Sequence, residues 1–223
     1  MSAHPRSVLL THGKVTLALH ALRAGGAGRP LLLLHGLGER SPEAVPPELA
    51  AWPGPVHALD FTGHGGSTVP RGGGYTPEAL MADADAALAH LGSATLVGRG
   101  LGAWVALLLA GGRPRAVRGA ILRDGPGLAG GGDRPGSTFL VSPDPRDVGG
   151  APDAHALIEL AKDVRPADYA TAFARQARAL SGLAEPISLC VRERVGWVRA
   201  VAEEPGVVET TLPEALARHA RAS

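Results

Sequence analysis

The sequence predicts an α/β fold in which a mostly parallel, eight-stranded sheet is flanked by helices. Eight short apolar or β-branched runs are bounded by Gly and Pro, and helical patterns lie between most of them. The first two runs follow each other as an antiparallel pair, and strands and helices alternate after them. A chain of 223 residues suffices for one full core, so we expect residues 1–223 to form a single domain.

The Gly and Pro residues between the apolar runs predict where the strands and helices begin and end. The clearest helix begins after Thr76, which can cap it, has Pro77 in its first turn and ends at Gly92. The predicted strands are 7–10, 15–22, 31–34, 55–59, 94–97, 119–122, 186–191 and 207–210. The predicted helices are 47–51, 76–91, 103–110, 154–162, 166–181, 197–203 and 213–222.

A long Gly- and Pro-rich segment, residues 124–152, interrupts this alternation after the strand that ends near Asp124. Loops of this length are commonly functional or mobile. The next two predicted helices precede the return of the chain to the sheet. We therefore expect residues 125–185 to form a loop and a reduced, lid-like insertion within the single domain.

Composition excludes several kinds of partner. The formal net charge is +1, from 22 basic and 21 acidic residues scattered along the chain, so no nucleic-acid partner is expected. The N-terminus lacks a signal pattern and the longest apolar stretch, 103–110, is too short to cross a bilayer, which favours a cytoplasmic protein without a membrane partner. The histidines and Cys190 show no metal-ligand spacing, so we expect no metal and no cofactor. The sequence leaves open whether the chain forms a homodimer.

Residues 98–102 read Gly-Arg-Gly-Leu-Gly, between the apolar run 94–97 and the apolar run 103–109. This is the strand, sharp turn and helix of a G-x-S-x-G nucleophile elbow. Gly100 stands where the nucleophile would be. Glycine permits the strained turn but supplies no oxygen or sulfur atom for acyl transfer.

Three further motifs accompany the elbow in a fixed order: HGLG at 35–38, DFTGHGGS at 60–67, and the strand 119–124 that ends in Asp124. Together the four motifs resemble the α/β-hydrolase superfamily over nearly the whole chain. The resemblance implies the fold, and it implies that the loop after His35 supplies one amide of an oxyanion hole. It does not specify a reaction, because this fold carries hydrolases, lyases, dioxygenases and non-catalytic binders.

The other two positions of the triad that the resemblance implies also lack the expected residues. Val195 stands where the acid is expected, and the last strand passes through Thr210 and Thr211 directly into a helix that contains His219. Three unoccupied positions argue against Ser-His-Asp hydrolysis.

The backbone of the elbow can still bind a ligand. We expect the amides of Leu37 and Leu101 to be unpaired and to face one spot beside the helix that follows, which suits an oxyanion or a carboxylate. With Gly36, Arg99 and Gly100 they form a predicted site for a small molecule that carries a carbonyl or a carboxylate. The alternative is an empty remnant whose glycines serve close packing.

Arg99 can complement an anionic ligand, or it can form an ion pair with an aspartate such as Asp124 or Asp60. His64, His35 and Asp124 are the candidate catalytic groups for acid–base chemistry. The alternatives are structural: hydrogen bonds that hold the loops for the two histidines, and a capped Gly125–Gly127 turn for Asp124.

Three functions remain open. The first is a non-hydrolytic or atypical enzyme that uses the oxyanion-hole amides. The second is a non-catalytic pseudoenzyme that binds a ligand, and the third is a hydrolase that activates water without a covalent intermediate.

Overall fold

The computed structural model describes residues 6–131 and 150–221. In this part of the chain eight strands form one sheet in the order β1-β2-β4-β3-β5-β6-β7-β8. The strands are β1 Arg6–His12, β2 Val15–Arg23, β3 Leu31–Leu34, β4 Val56–Leu59, β5 Ala94–Arg99, β6 Val117–Arg123, β7 Ile187–Cys190 and β8 Val207–Glu209. The predicted sheet is confirmed, with strand ends shifted by one or two residues in most cases.

Strand direction changes only at one edge of the sheet. β1 and β2 form an antiparallel hairpin, β2 runs antiparallel to β4, and the pairs from β4 to β8 are parallel. The carboxyl ends of β3, β5 and β6 therefore meet, with Leu34 beside Gly98 and Gly98 beside Leu122. In open α/β sheets this edge is where ligands bind.

Six α-helices lie within the described residues: α1 Pro77–Leu91, α2 Leu101–Gly112, α3 Ala154–Lys162, α4 Ala167–Leu180, α5 Gly196–Ala202 and α6 Leu212–Arg221. The Thr76 hydroxyl oxygen accepts the N–H of Ala79 at 3.2 Å, which confirms the predicted cap of α1. The predicted helix 47–51 is wrong in type and length, because only the short 3-10 helix Pro47–Leu49 forms there. Its N–H groups bond three residues back, and Pro53 follows closely, so an α-helical turn cannot extend.

The helices cover both faces of the sheet. α1, α2, α4 and α5 pack into the larger apolar core on one face, whereas the 3-10 helix and α6 pack on the other face. α2 is buried from Leu101 to Gly111, which is why its sequence is apolar on every side. The helix that follows the elbow is thereby fixed against the sheet.

α3 and α4 are inserted between β6 and β7, as predicted. α4 packs its small residues, including Ala170 and Ala174, against α2. Residues 132–149, the middle of the predicted loop 125–152, lie outside the described residues. The lid-like role of residues 125–185 stays a prediction.

Across residues 6–131 and 150–221, no helix combines the length and the apolar character needed to cross a membrane.

His219 lies inside α6, as the sequence predicts, and is almost fully buried. Its Nε2 atom is 2.9 Å from the Ser188 hydroxyl oxygen on β7. Burial, together with the positive charges of Arg218 and Arg29, lowers the pKa of His219 to about 4. The neutral ring is therefore the form that the folded chain accommodates.

We predict that His219 makes the folded chain sensitive to acid. Because the folded pKa lies below the ordinary value of about 6.5, the unfolded chain binds a proton first as the pH falls. The contribution of the neutral ring is complete above about pH 6.5 and is lost towards pH 4, a loss of roughly 3 kcal/mol at most. Urea unfolding of His219→Gln at pH 7 and pH 4.5 should show a correspondingly smaller pH dependence than the wild type.

His90→Gln is the matched control, since His90 is an exposed residue at the end of α1. This variant should keep the pH dependence of the wild type. An unchanged pH dependence in His219→Gln would contradict the assignment.

Candidate functional site

The elbow has the predicted geometry. β5 ends at Arg99, α2 begins at Leu101, and Gly100 between them has φ +58°, in the left-handed region that residues with side chains rarely adopt. The Gly100 N–H donates to the Arg123 carbonyl oxygen at 3.0 Å, which ties the turn to β6. The sequence motif therefore identifies a true strand–turn–helix elbow.

The two amides predicted to form the oxyanion hole, which we call the elbow amides, already have an acceptor. The Leu37 N–H donates to the Pro126 carbonyl oxygen at 3.0 Å, and the Leu101 N–H donates to the same oxygen at 2.9 Å. The expectation that these amides are unpaired is wrong. The chain after β6 folds back over the end of β5 and places its own carbonyl where an oxyanion would be bound. We call residues Asp124–Leu128 the plug loop.

The plug loop also fills the space above Gly100. A β-carbon built on Gly100 would overlap the Pro126 carbonyl oxygen and lie 2.6 Å from the Gly125 carbonyl carbon. A β-carbon on Gly36 would lie 3.0 Å from the Pro126 ring. Glycine is thus required by the plug loop at Gly100, whereas at Gly36 the space is tight. The expected space for a ligand atom above Gly100 is taken.

Hydrogen bonds to three other segments hold the plug loop in place. The Asp124 carboxylate accepts the N–H groups of Arg192 and Glu193 at 2.8 and 3.0 Å. Arg165 donates to the carbonyl oxygens of Gly127 and Leu128, and the Trp197 indole N–H donates to the Leu128 carbonyl at 2.8 Å. The loop is therefore anchored at both ends as well as at Pro126.

Arg165 is a buried, charged anchor of the plug loop. Its guanidinium carbon lies 5.8 Å from the centre of a Trp104 ring, a cation–π distance. Burial lowers the pKa of Arg165 to about 10, although the nearby Asp163 opposes the shift, so the side chain stays charged at neutral pH. A buried cation that donates to two loop carbonyls indicates a fixed loop.

Asp124 has neither of the roles considered for it. Both carboxylate oxygens accept backbone N–H groups of the loop after β7, so the side chain does not cap its own turn. No histidine is among its hydrogen-bond partners in the described residues. Asp124 anchors the plug loop and does not orient a base.

His35 and His64 are both bound to backbone through both ring nitrogens. His35 Nε2 accepts the Phe61 N–H at 3.1 Å, so Nδ1 carries the proton and donates to the Gly36 carbonyl at 2.8 Å. His64 Nε2 accepts the Gly38 N–H at 3.2 Å, and its Nδ1 donates to the Thr62 carbonyl at 3.2 Å. Neither ring has a lone pair open to a substrate proton. This geometry favours the structural alternative.

The electrostatics of the two rings agree with that conclusion. Burial and the neighbouring His64 together lower the pKa of His35 to about 3. Burial also lowers the pKa of His64, against the opposing effects of the Thr62 carbonyl and of Asp60 and Asp153. Both rings are neutral at pH 7 and act as braces between the loops at the ends of β3 and β4.

Arg99 forms an ion pair, as one of its alternatives predicts, but with a different partner. Its guanidinium is 3.2 Å from a Glu39 carboxylate oxygen, and Asp124 and Asp60 are not its partners. Arg99 also lines a cavity of about 360 Å³ at the carboxyl ends of β3, β5 and β6. Of the predicted binding residues Gly36, Leu37, Arg99, Gly100 and Leu101, only Arg99 lines this cavity.

The remaining triad positions carry no acid and no histidine. Val195 directly precedes α5. The Thr211 N–H and the Thr210 hydroxyl donate to Glu214 at 3.1 and 2.7 Å, which starts α6 at once after β8. No cluster of three or more His, Cys, Asp or Glu side chains suited to a metal ion exists in residues 6–131 and 150–221.

Sequence reasoning missed Pro126 and Arg165. Pro126 acts through its backbone carbonyl, a group that every residue has, so the residue type does not indicate this role. Arg165 stands between helices α3 and α4, far in sequence from the elbow. One signal was available, since Gly125-Pro126-Gly127 directly follows the strand next to the elbow.

Comparison with known proteins agrees with this architecture. Residues 31–222 match the family model described as the alpha/beta hydrolase family. A search of curated proteins finds none whose sequence matches this chain.

Solved structures share the fold at low sequence identity. A serine-to-alanine variant of N-formylmaleamic acid deformylase from Pseudomonas putida S16 is 16% identical, with a TM-score of 0.67 over 92% of both chains. A carboxylesterase structure from the thaumarchaeon Nitrososphaera gargenis is 17% identical, with a TM-score of 0.59 over 92% of this chain and 89% of that one. A bacterial membrane phospholipase A is 18% identical, with a TM-score of 0.53 over 99% of this chain and 83% of that one.

We predict that Gly100→Ser is destabilising for two separable reasons. A side chain at positive φ costs about 1–2 kcal/mol. At Gly100 the new β-carbon must also displace Pro126 and break the two hydrogen bonds to its carbonyl, a further loss of about 2 kcal/mol. Urea unfolding measures both effects, and the variant should hydrolyse no ester through the new serine, since neither His35 nor His64 offers a free nitrogen.

Gly13→Ser is the matched control, because Gly13 has φ +60° and open space where its β-carbon would be. It reports the backbone strain alone. Equal stability of the two variants, or ester hydrolysis by Gly100→Ser above that of Gly13→Ser, would count against the plugged elbow.

Proposed function

The chain belongs to the alpha/beta hydrolase family, and we propose that it is a small-molecule-binding member that carries out no acyl transfer at its elbow. One observation carries the proposal: the Pro126 carbonyl accepts both elbow amides, directly above a glycine at the nucleophile position. Of the three functions that the sequence leaves open, this favours the second one at the elbow, which has no catalytic role there.

The energetics of the plug loop argue against a ligand at the elbow amides. A carbonyl or carboxylate that replaced Pro126 there would gain two hydrogen bonds but would leave the carbonyl of the half-buried Pro126 without its two donors. A net hydrogen bond contributes about 1 kcal/mol, whereas an unsatisfied buried acceptor costs about 1–3 kcal/mol. The exchange brings no net gain, so the ligand site lies elsewhere.

The cavity beside Arg99 has the features of a small-molecule site. Its floor is apolar, formed by Leu33, Leu49, Ala58 and Val97, and Arg123 joins Arg99 at its rim. An apolar cleft with a few charged groups is the usual form of such sites. The volume of about 360 Å³ suits a compact ligand with an apolar body and one polar end.

Arg123 is the better of the two arginines for a ligand carboxylate. Both of its terminal nitrogens lie 3.3 Å from the same Glu48 oxygen, and the Glu48 side chain is 46% exposed. An ion pair of this kind contributes about 0–1 kcal/mol, so a ligand can displace Glu48 into water at little cost. The Glu39 partner of Arg99 is held more firmly, because it also accepts the Gly36 N–H at 2.9 Å. The ligand is thus a small carboxylic acid bound through Arg123.

We predict that small carboxylates with an apolar body bind this cavity and that Arg123→Gln weakens their binding about tenfold or more. Benzoate, phenylacetate and hexanoate serve as probes, each compared with its primary amide, which has nearly the same shape and no charge. Isothermal titration calorimetry should detect the acids and not the amides. Glu48→Gln should tighten binding, since it frees the Arg123 guanidinium.

Arg71→Gln is the matched control, because Arg71 is exposed and does not line this cavity. It should bind the acids as the wild type does. Absence of binding by all the acids, or equal binding by wild type and Arg123→Gln, would overturn the proposed ligand class.

A further inference from the structure

Three side chains outside the elbow form a continuous hydrogen-bonded chain. The Ser7 hydroxyl oxygen on β1 is 2.8 Å from Nδ1 of His20 on β2. His20 Nε2 is 3.0 Å from Oδ2 of Asp60, which directly follows β4. A serine, a histidine and an aspartate at these distances have the order of a nucleophile, a base and the group that orients the base.

The sheet register builds this arrangement. The β1–β2 hairpin places Ser7 directly opposite His20, on the same face of the sheet. β2 then pairs with β4 so that His20 faces Ala58, two residues before Asp60. The tight turn at Gly13 fixes the hairpin register, so the pairing of Ser7 with His20 follows from the sequence. The spacing of the histidines along the chain does not indicate this pairing.

Asp60 is held as a fixed acceptor. Its Oδ1 accepts the Ser41 N–H at 2.7 Å and its Oδ2 accepts the Gly66 N–H at 2.8 Å. Burial by itself would raise the pKa of Asp60, but the hydrogen bonds from Gly66, Ser41 and His20 outweigh burial and lower the pKa below its ordinary value. The carboxylate is therefore ionised at neutral pH and can only accept hydrogen bonds.

The ionised carboxylate sets the proton position on His20. In the neutral ring the bond to Asp60 places the proton on Nε2, and Nδ1 then has a lone pair that accepts the Ser7 hydroxyl proton. This is the protonation state that a general base requires. His35 and His64 differ from His20 here, because backbone N–H groups occupy their lone pairs.

The three side chains open into a cavity of about 690 Å³. Exposure rises from 4% for the Asp60 side chain to 19% for that of His20, and Ser7 is exposed. Arg40 lines the same cavity, and its guanidinium lies 3.4 Å from Glu43 in an exposed ion pair. A substrate can therefore reach Ser7 while the orienting carboxylate stays shielded.

We propose that Ser7, His20 and Asp60 form a second, acyl-transfer site that hydrolyses small carboxylic esters. Ser7 Oγ attacks the ester carbonyl carbon while His20 Nδ1 takes the hydroxyl proton. The ester C–O bond then breaks, and the alkoxide leaves with that proton, which gives an acyl-Ser7 ester and an alcohol. Water then hydrolyses the acyl-Ser7 ester. His20 takes a proton from the water, the hydroxide attacks the acyl carbon, and Ser7 Oγ leaves and recovers the proton, which releases the carboxylic acid. Arg40 supplies positive charge for the oxyanion of both steps.

The site is tested by labelling the full chain with a fluorophosphonate probe and mapping the adduct by peptide mass spectrometry. The adduct is expected on Ser7, and it should be absent from Ser7→Ala. His20→Gln should label at least 100-fold more slowly, since it removes the base and keeps a side chain able to bond to Asp60. Hydrolysis of p-nitrophenyl acetate should fall in parallel in both variants.

Thr11→Ala is the matched control, because Thr11 is an exposed residue of the same strand. It should label as fast as the wild type. No adduct, an adduct on another serine, or Ser7 labelling at an unchanged rate in His20→Gln would each overturn the proposal. None of these outcomes tests the ligand cavity at Arg123, which the calorimetric titrations with carboxylates test independently.

Discussion

The carbonyl of Pro126, bonded to the amides of Leu37 and Leu101, is the interaction on which the organisation of this protein depends. Two buried N–H groups converge at an elbow and must have an acceptor. Here the chain supplies one from its own backbone. The approach of that carbonyl excludes a side chain at Gly100, so the absence of a nucleophile and the presence of the plug loop have the same structural cause.

The candidate catalytic residues of the sequence have structural roles in and around the plug loop. Asp124 anchors the loop to the segment after β7, and Arg165 holds its far end beside Trp104. His35 and His64 brace the neighbouring loops through both ring nitrogens. In the part of the chain that the structure describes, Arg99 and Arg123 line one cavity, and Ser7 and His20 line another.

The sequence predicts the fold well because strands and helices here have strong local signals. The apolar run at Leu31–Leu34 and the capped helix Pro77–Leu91 form as expected, whereas the segment after Pro46 shortens to a 3-10 helix. The site is harder to predict, because its contacts join distant segments. Glu39 as the partner of Arg99 and the carbonyl of Pro126 become apparent only when the loops are in place. A motif fixes where a backbone turns, but not which atom fills the space beside it.

NMR detection of the hydrogen bonds to Pro126 shows whether this carbonyl binds both amides. In a deuterated, ¹³C,¹⁵N-labelled sample, scalar couplings across hydrogen bonds should link the amide nitrogens of Leu37 and Leu101 to the Pro126 carbonyl carbon. The Leu31 N–H, which donates to the Pro55 carbonyl at 2.9 Å, serves as the internal reference. We expect both couplings and slow solvent exchange of both amides. Rapid exchange without either coupling, in a sample where the reference coupling is observed, would contradict this expectation.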